Sequence, residues 1–155
     1  MLIDRAWIMR HIPHQGSMCL IDEVSDWNAS RVRCLSSAHR SPTNPLRAHD
    51  QLAAVCGIEF AAQAIAIHGA LIVSQSFVQC PAGYLASIRN VALHAARLDD
   101  VAEDLLTTAV RVSGDDSTLL YDFSLSAGAR LLLSGRATIV IGTALISSRQ
   151  TLLAT

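Results

Sequence analysis

The stretch from Leu52 to Val73, LAAVCGIEFAAQAIAIHGALIV, decides how the rest of the chain is organised. It is apolar almost throughout, and its strongly polar side chains are Glu59, Gln63 and His68. A run of this kind reads either as a membrane span or as a helix buried on nearly all sides. A carboxylate in mid-span costs roughly 2.5–3.5 kcal/mol on insertion scales, and the glycines and many alanines weaken the span further. A sheet wrapped around the helix carries no such cost, so a buried core helix is expected and no membrane span. Asp50 is placed to cap its N-terminus, and Gly69 to weaken or stop it.

On the N-terminal side, Leu2 to Met9 has apolar residues at helical spacing and predicts a short helix. Pro13 and Gly16 then bracket His14 in a turn-like segment. The runs MCLIDEV, from Met18, and RVRCLSSA, from Arg31, flank a polar turn and predict a β-hairpin. Pro42, Asn44 and Pro45 break regular structure before the long helix, because proline has no backbone N–H to donate. Beyond the helix, a loop ends near Cys80-Pro81-Ala82-Gly83. Four strand-like runs follow: YLASIRNVALHAARL, EDLLTTAVRVSG, TLLYDFSLSAG and RLLLSGRATIVIG, with turns at Asp115–Asp116 and Gly128. The order predicted is hairpin, long buried helix, then three or four antiparallel strands, an α+β arrangement. It forms one domain over residues 1–142, with a peripheral tail over residues 143–155.

The chain has 155 residues, 51% of them hydrophobic and only 16% charged, so either a large fraction is interior or part of the surface lies in an oligomer, a dimer or larger assembly being the default expectation. A net charge of -1 offers no field for a phosphate backbone, which argues against a nucleic-acid partner. All 12 cationic side chains are arginine, which excludes lysine Schiff bases, pyridoxal phosphate anchorage and Walker-type phosphate loops. The 4 cysteines, Cys19, Cys34, Cys56 and Cys80, lack metal-ligand spacing and read as reduced, buried small hydrophobes. The opening MLIDRAWIMRHIPH has no basic patch followed by an apolar core, and the cytoplasm is the expected compartment.

Glu59 carries the most information, because burial of an acid in an apolar helix raises its pKa and poises it for proton transfer. Gln63, four residues on, shares its helical face. His68, nine residues on, lies about half a turn out of phase and faces elsewhere. The alternative for Glu59 is a carboxylate held by backbone groups or by an arginine across an interface. Among the 6 histidines, His14 has the best local context for a partner, though an exposed or capping role fits its turn equally. His49, just before the helix, reads more readily as a surface-loop residue, and His11, His39 and His94 have no informative context. No GxSxG elbow, HExxH pair or glycine-rich dinucleotide fingerprint is present.

These residues resemble a known family. IPHQGSMCLIDEV resembles the leading motif of bacterial β-hydroxyacyl-carrier-protein dehydratases, with Pro13, His14, Leu20, Ile21 and Asp22 in the matching places. GIEFAAQAIAIHGAL resembles their central-helix motif, with Glu59, Ala62, Gln63 and Ala64 where an acid and an Ala-Gln-Ala run occur. The NPLR loop and the YLASIRNVALH run make the chain most similar to the divergent dehydratase-like branch of aryl-polyene pathways, over roughly residues 8 to 141. The resemblance implies a hotdog fold, a curved antiparallel sheet around one long helix, dimerising with the acyl tunnel between subunits.

One departure is plain. Dehydratases of this type carry a histidine in a Gly/Pro-rich loop roughly fourteen residues before the helix acid. Here that spacing leads to Pro45, with Asn44 the nearest polar residue and no His-Phe-Pro-Gly sequence. The resemblance therefore implies Glu59 as acid or base with His14 or His49 as its complement, His14 preferred, or a histidine from a partner subunit. Backbone N–H groups from Ala53 to Val55, centred on Ala54, are expected to bind an enolate oxygen, and Gln63 and Asn44 to contact substrate. The expected substrate is a β-hydroxyacyl thioester on acyl carrier protein or coenzyme A, which brings its own phosphopantetheine, so no resident cofactor is expected. Thioester hydrolysis, with Asn44 or Gln63 orienting a water, is one alternative. The other is a non-catalytic subunit shaping the tunnel of a related dehydratase. Both a homodimer and a heterodimer with a related hotdog subunit fit.

Overall fold

The computed structural model describes residues 3–75 and 83–142. A short helix, α1 (Arg5–His11), opens the chain, with the Asp4 carboxylate accepting from the Trp7 N–H at 2.9 Å as its N-cap. The hairpin β1 (Glu23–Trp27) and β2 (Arg31–Ser36) follows. A 3₁₀ turn at Ala54–Cys56 runs directly into the central helix α2 (Gly57–Ser74). Then come β3 (Gly83–Leu93), β4 (Leu105–Gly114), β5 (Thr118–Ala127) and β6 (Arg130–Ile141).

The six strands form one antiparallel sheet in the order β1-β2-β4-β5-β6-β3. The chain leaves the sheet after β2, crosses its face as α2 and re-enters at the opposite edge as β3. Along β5 the burial alternates, with Tyr121, Phe123, Leu125 and Ala127 facing the helix, the period-2 signature of a sheet with one covered face. Against it α2 buries Phe60, Ala61, Ala64, Ile65, Ile67 and Leu71. The predicted α+β fold is therefore present, with the long helix against one face of the sheet. By length and composition Ala54–Ser74 would suffice to cross a membrane, yet more than half of its most apolar window is buried inside the fold.

Several local expectations are corrected. Asp50 does not cap α2: the N-cap is Cys56, which makes no side-chain cap bond. His49 and Asp50 instead hold positive φ values of 51° and 61° in a two-residue turn closed by reciprocal Ala48–Gln51 hydrogen bonds. The approach to the helix is pinned by Asp99, whose carboxylate accepts from the Leu52 N–H at 2.8 Å and pairs with Arg97. That guanidinium, with the Leu52 N–H, holds the Asp99 carboxyl well below the usual carboxylate range. Gly69 does not end α2, which continues to Ser74. The first strand begins at Glu23 rather than Met18, because Cys19, Leu20 and Ile21 are all buried and cannot alternate between two faces. Cys19 and Cys34 are free and buried, with the Cys34 thiol pushed up to about 12 by burial, and Cys56 is free and half-buried. Cys80, the loop before Gly83 and the tail lie outside the described residues.

β3 is an edge strand, with Tyr84, Leu85, Val91 and Leu93 exposed. Its pairing with β6 slips between Leu85 and Ser87 and again between Arg89 and Ala92, where Asn90 has a left-handed φ of 55°.

On the far side of α2, His68 is buried, as its phase requires. Its Nε2–H donates to the Asn28 carbonyl at 2.8 Å, so Nδ1 accepts from the Tyr121 hydroxyl, also at 2.8 Å. Burial lowers the pKa of His68 and of the likewise buried His39 below the ordinary 6.5. Above that value both are neutral whether folded or unfolded. Below it the unfolded chain binds protons that the folded chain refuses, so stability falls as pH drops below 6.5. The urea midpoint is expected to fall between about pH 7.5 and about pH 5.5, before carboxylates titrate. A double H39Q/H68Q variant should show a much flatter profile; an unchanged slope would refute the assignment.

Candidate active site

Glu59 lies in the first turn of α2, a position set by Gly57, where the helix start presses against Leu125 and Leu133 of the sheet. Its side chain is 32% exposed, so it stands at the helix surface rather than in the sealed interior that the apolar sequence suggested. The turn after α1 brings His14 over it. His14 Nε2 lies 3.2 Å from Glu59 Oε1, and its side chain is 25% exposed. His14 Nδ1 is buried and has no hydrogen-bond partner among the described residues.

Gln63 completes the constellation. Its amide nitrogen donates to the Met18 carbonyl at 2.7 Å and to Glu59 Oε1 at 3.0 Å, and its amide oxygen accepts from the Leu20 N–H at 2.8 Å. The side chain is fully buried. Its polar atoms, for which a contact to substrate was expected, are all paired inside the protein. Among the described residues Glu59 Oε2 takes no such contact.

The other expected contacts are not brought to this pair. Asn44 is buried in its loop, donating to the Ala38 carbonyl at 2.8 Å and accepting from the Leu46 N–H at 2.9 Å. It borders a polar cavity of about 260 Å³ with Arg5, Asp22 and Ser37; neither Glu59 nor His14 lines that cavity. The Ala54 N–H donates to the Ala96 carbonyl at 3.0 Å and is not free for an oxyanion. His49 sits in the exposed turn already described, without a contact to Glu59. The parts missed from sequence are the Met18 and Leu20 backbone groups, which have no side-chain signature.

A six-stranded antiparallel sheet folded on one long helix is the hotdog fold, here with an acid in the helix's first turn and a histidine against it. Comparison with known proteins agrees. The family model for ApeP-like proteins, described as ApeP dehydratase, matches residues 7–148, and the chain belongs to that family. Among solved structures, the dehydratase heterocomplex ApeI:P from Xenorhabdus doucetiae superimposes with a TM-score of 0.79 at 21% identity, covering 90% of this chain and 95% of that one. A mutant thioesterase from Pseudomonas aeruginosa has the same fold, with a TM-score of 0.54 and 11% identity over 77% of this chain and 79% of its own. So does a hypothetical thioesterase with coenzyme A from Streptococcus pneumoniae, at 0.54 and 14% over 77% and 84%. A search of curated proteins finds no match.

Proposed function

We propose that this chain takes part in the reversible removal of water from β-hydroxyacyl thioesters in fatty-acid-like or polyene biosynthesis. The observation that carries the reading is the 3.2 Å approach of His14 Nε2 to Glu59 Oε1, with Oε2 left open. Dehydration moves one proton from the α-carbon to a base, forms the Cα–Cβ double bond, breaks the Cβ–O bond and protonates the departing hydroxyl. An acid and a histidine in contact accept the first proton and return the second, so the pair ends as it began. The thioester arrives on acyl carrier protein or coenzyme A with its own phosphopantetheine, and the protein supplies no cofactor. Family membership supports the dehydratase class.

The ApeI:P heterocomplex supports a heterodimer with a related hotdog subunit. The open β3 edge, with its exposed Tyr84, Leu85, Val91 and Leu93, is the surface such a partner would cover. The same relationship favours one second reading, in which this chain shapes the tunnel and the partner performs the reaction. The test incubates a crotonyl thioester with the chain alone and with a co-purified related subunit, following hydration and free thiol separately. Hydration without thiol release is expected. Thiol release without hydration would replace dehydration by thioester hydrolysis, and activity that survives loss of Glu59 in the complex would establish the second reading.

A further inference from the structure

We propose that Gln63 is the positioning residue of this site: it holds the His14 turn against α2 and determines which oxygen of Glu59 reacts. The inference rests on the Glu59–His14 pair as the reacting site. The turn from Pro13 to Cys19 contains a 3₁₀ segment at Gly16–Met18 whose residues are not buried, and only Cys19, at its end, enters the core. The hydrogen bonds that tie its end to the helix are those of Gln63, to the Met18 carbonyl and, one residue beyond the turn, from the Leu20 N–H.

The orientation of the amide is not arbitrary. Rotating it by half a turn would set its NH₂ against the Leu20 N–H and its oxygen against the Met18 carbonyl, losing both bonds with the side chain fully buried. With the amide locked, one N–H satisfies Met18 and the other points at Glu59 Oε1. Oε1 therefore receives Gln63 Nε2 at 3.0 Å and faces His14 Nε2 at 3.2 Å. Each carboxylate oxygen has two lone pairs: those of Oε1 face Gln63 and His14, whereas Oε2 meets neither, so the exchangeable proton is placed on Oε2. One buried amide thus sets the histidine-bearing backbone, the carboxylate rotation and the identity of the reactive oxygen.

The test compares Gln63→Met with the unaltered chain, in the complex with its related subunit if turnover requires it. A displacement of about 1 Å at such a site costs on the order of a hundredfold. The expected result is a loss of that size in kcat with KM changed by less than about threefold, since Gln63 does not face substrate. An independent readout uses histidine-labelled protein and NMR, with His14 assigned through H14N. In the unaltered chain, E59Q should shift the His14 ring resonances; in the Q63M chain, the same substitution should leave them nearly unmoved. If Q63M does not fold, Q63E serves, because it keeps an acceptor for the Leu20 N–H and removes both donors. Retained kcat in a folded variant, or resonances that still respond to E59Q, would overturn the proposal. The NMR comparison needs no turnover, so it decides the role of Gln63 even if the chain proves not to dehydrate.

Discussion

Replacing Glu59 by glutamine is expected to lower hydration of a crotonyl thioester by about 10²–10⁴-fold, the range over which a positioned acid or base acts. The amide is nearly isosteric with the carboxylate, and Glu59 is 32% exposed, so little packing is disturbed. Stability should change by no more than about 0.5 kcal/mol. The loss should fall on kcat, because the missing capacity is proton transfer and not binding. His14→Asn should cost a similar factor. The double variant should be little worse than either alone, because two groups handling one proton fail together. Steady-state rates of the three proteins and their melting curves check this. Near-normal turnover by folded E59Q would remove the acid from the mechanism.

The second large effect is structural and falls on Gly57. Its backbone lies in the ordinary right-handed helical region at φ -60°, so nothing in its conformation demands glycine. The constraint is space: a Cβ there would lie 2.2 Å from Leu133 Cδ2 and 3.0 Å from Leu125 Cδ2, and both leucines are fully buried. Gly57→Val should therefore cost about 3 kcal/mol by overpacking, lowering the melting temperature by roughly 6–12 °C. Because Glu59 lies in the same helical turn, thioester hydration should fall with it. Gly69→Ala is the internal comparison. A Cβ at Gly69 meets nothing within 4 Å, and alanine in mid-helix should be neutral or stabilising by about 0.5–1 kcal/mol. Equal melting temperatures for the two variants would mean that the helix does not pack on the sheet as described.

How far such features could be read from sequence follows from their range along the chain. The helix was legible because an apolar run interrupted by Glu59, Gln63 and His68 has one economical solution, and the i, i+4 relation put Glu59 and Gln63 together at once. The half-turn offset of His68 was equally local, and it does face Tyr121 and Asn28 on another side. The predicted strand runs matched the sheet where burial alternates, as in β5, and failed from Met18 to Asp22, where buried neighbours share an irregular extended segment. His14 was singled out by its turn, although nothing local measured its distance to a helix more than forty residues away. The role of Gln63 was illegible for a physical reason. Two of its partners are main-chain atoms, and every residue carries those. Asp50 misled because an acid shortly before a helix resembles a cap until the turn that occupies it is known.

The bent edge of β3 bears on how the free chain behaves in solution. A straight, open strand 11 residues long with apolar side chains is a template on which further copies can stack without limit. The two register slips and the left-handed Asn90 divide β3 into short straight runs, so an added strand must bend where β3 bends. A growing stack of copies would need that bend reproduced in every layer, whereas a single companion needs to match it once. The same irregularity that breaks the β6 register thus works against fibrous aggregation of the free chain.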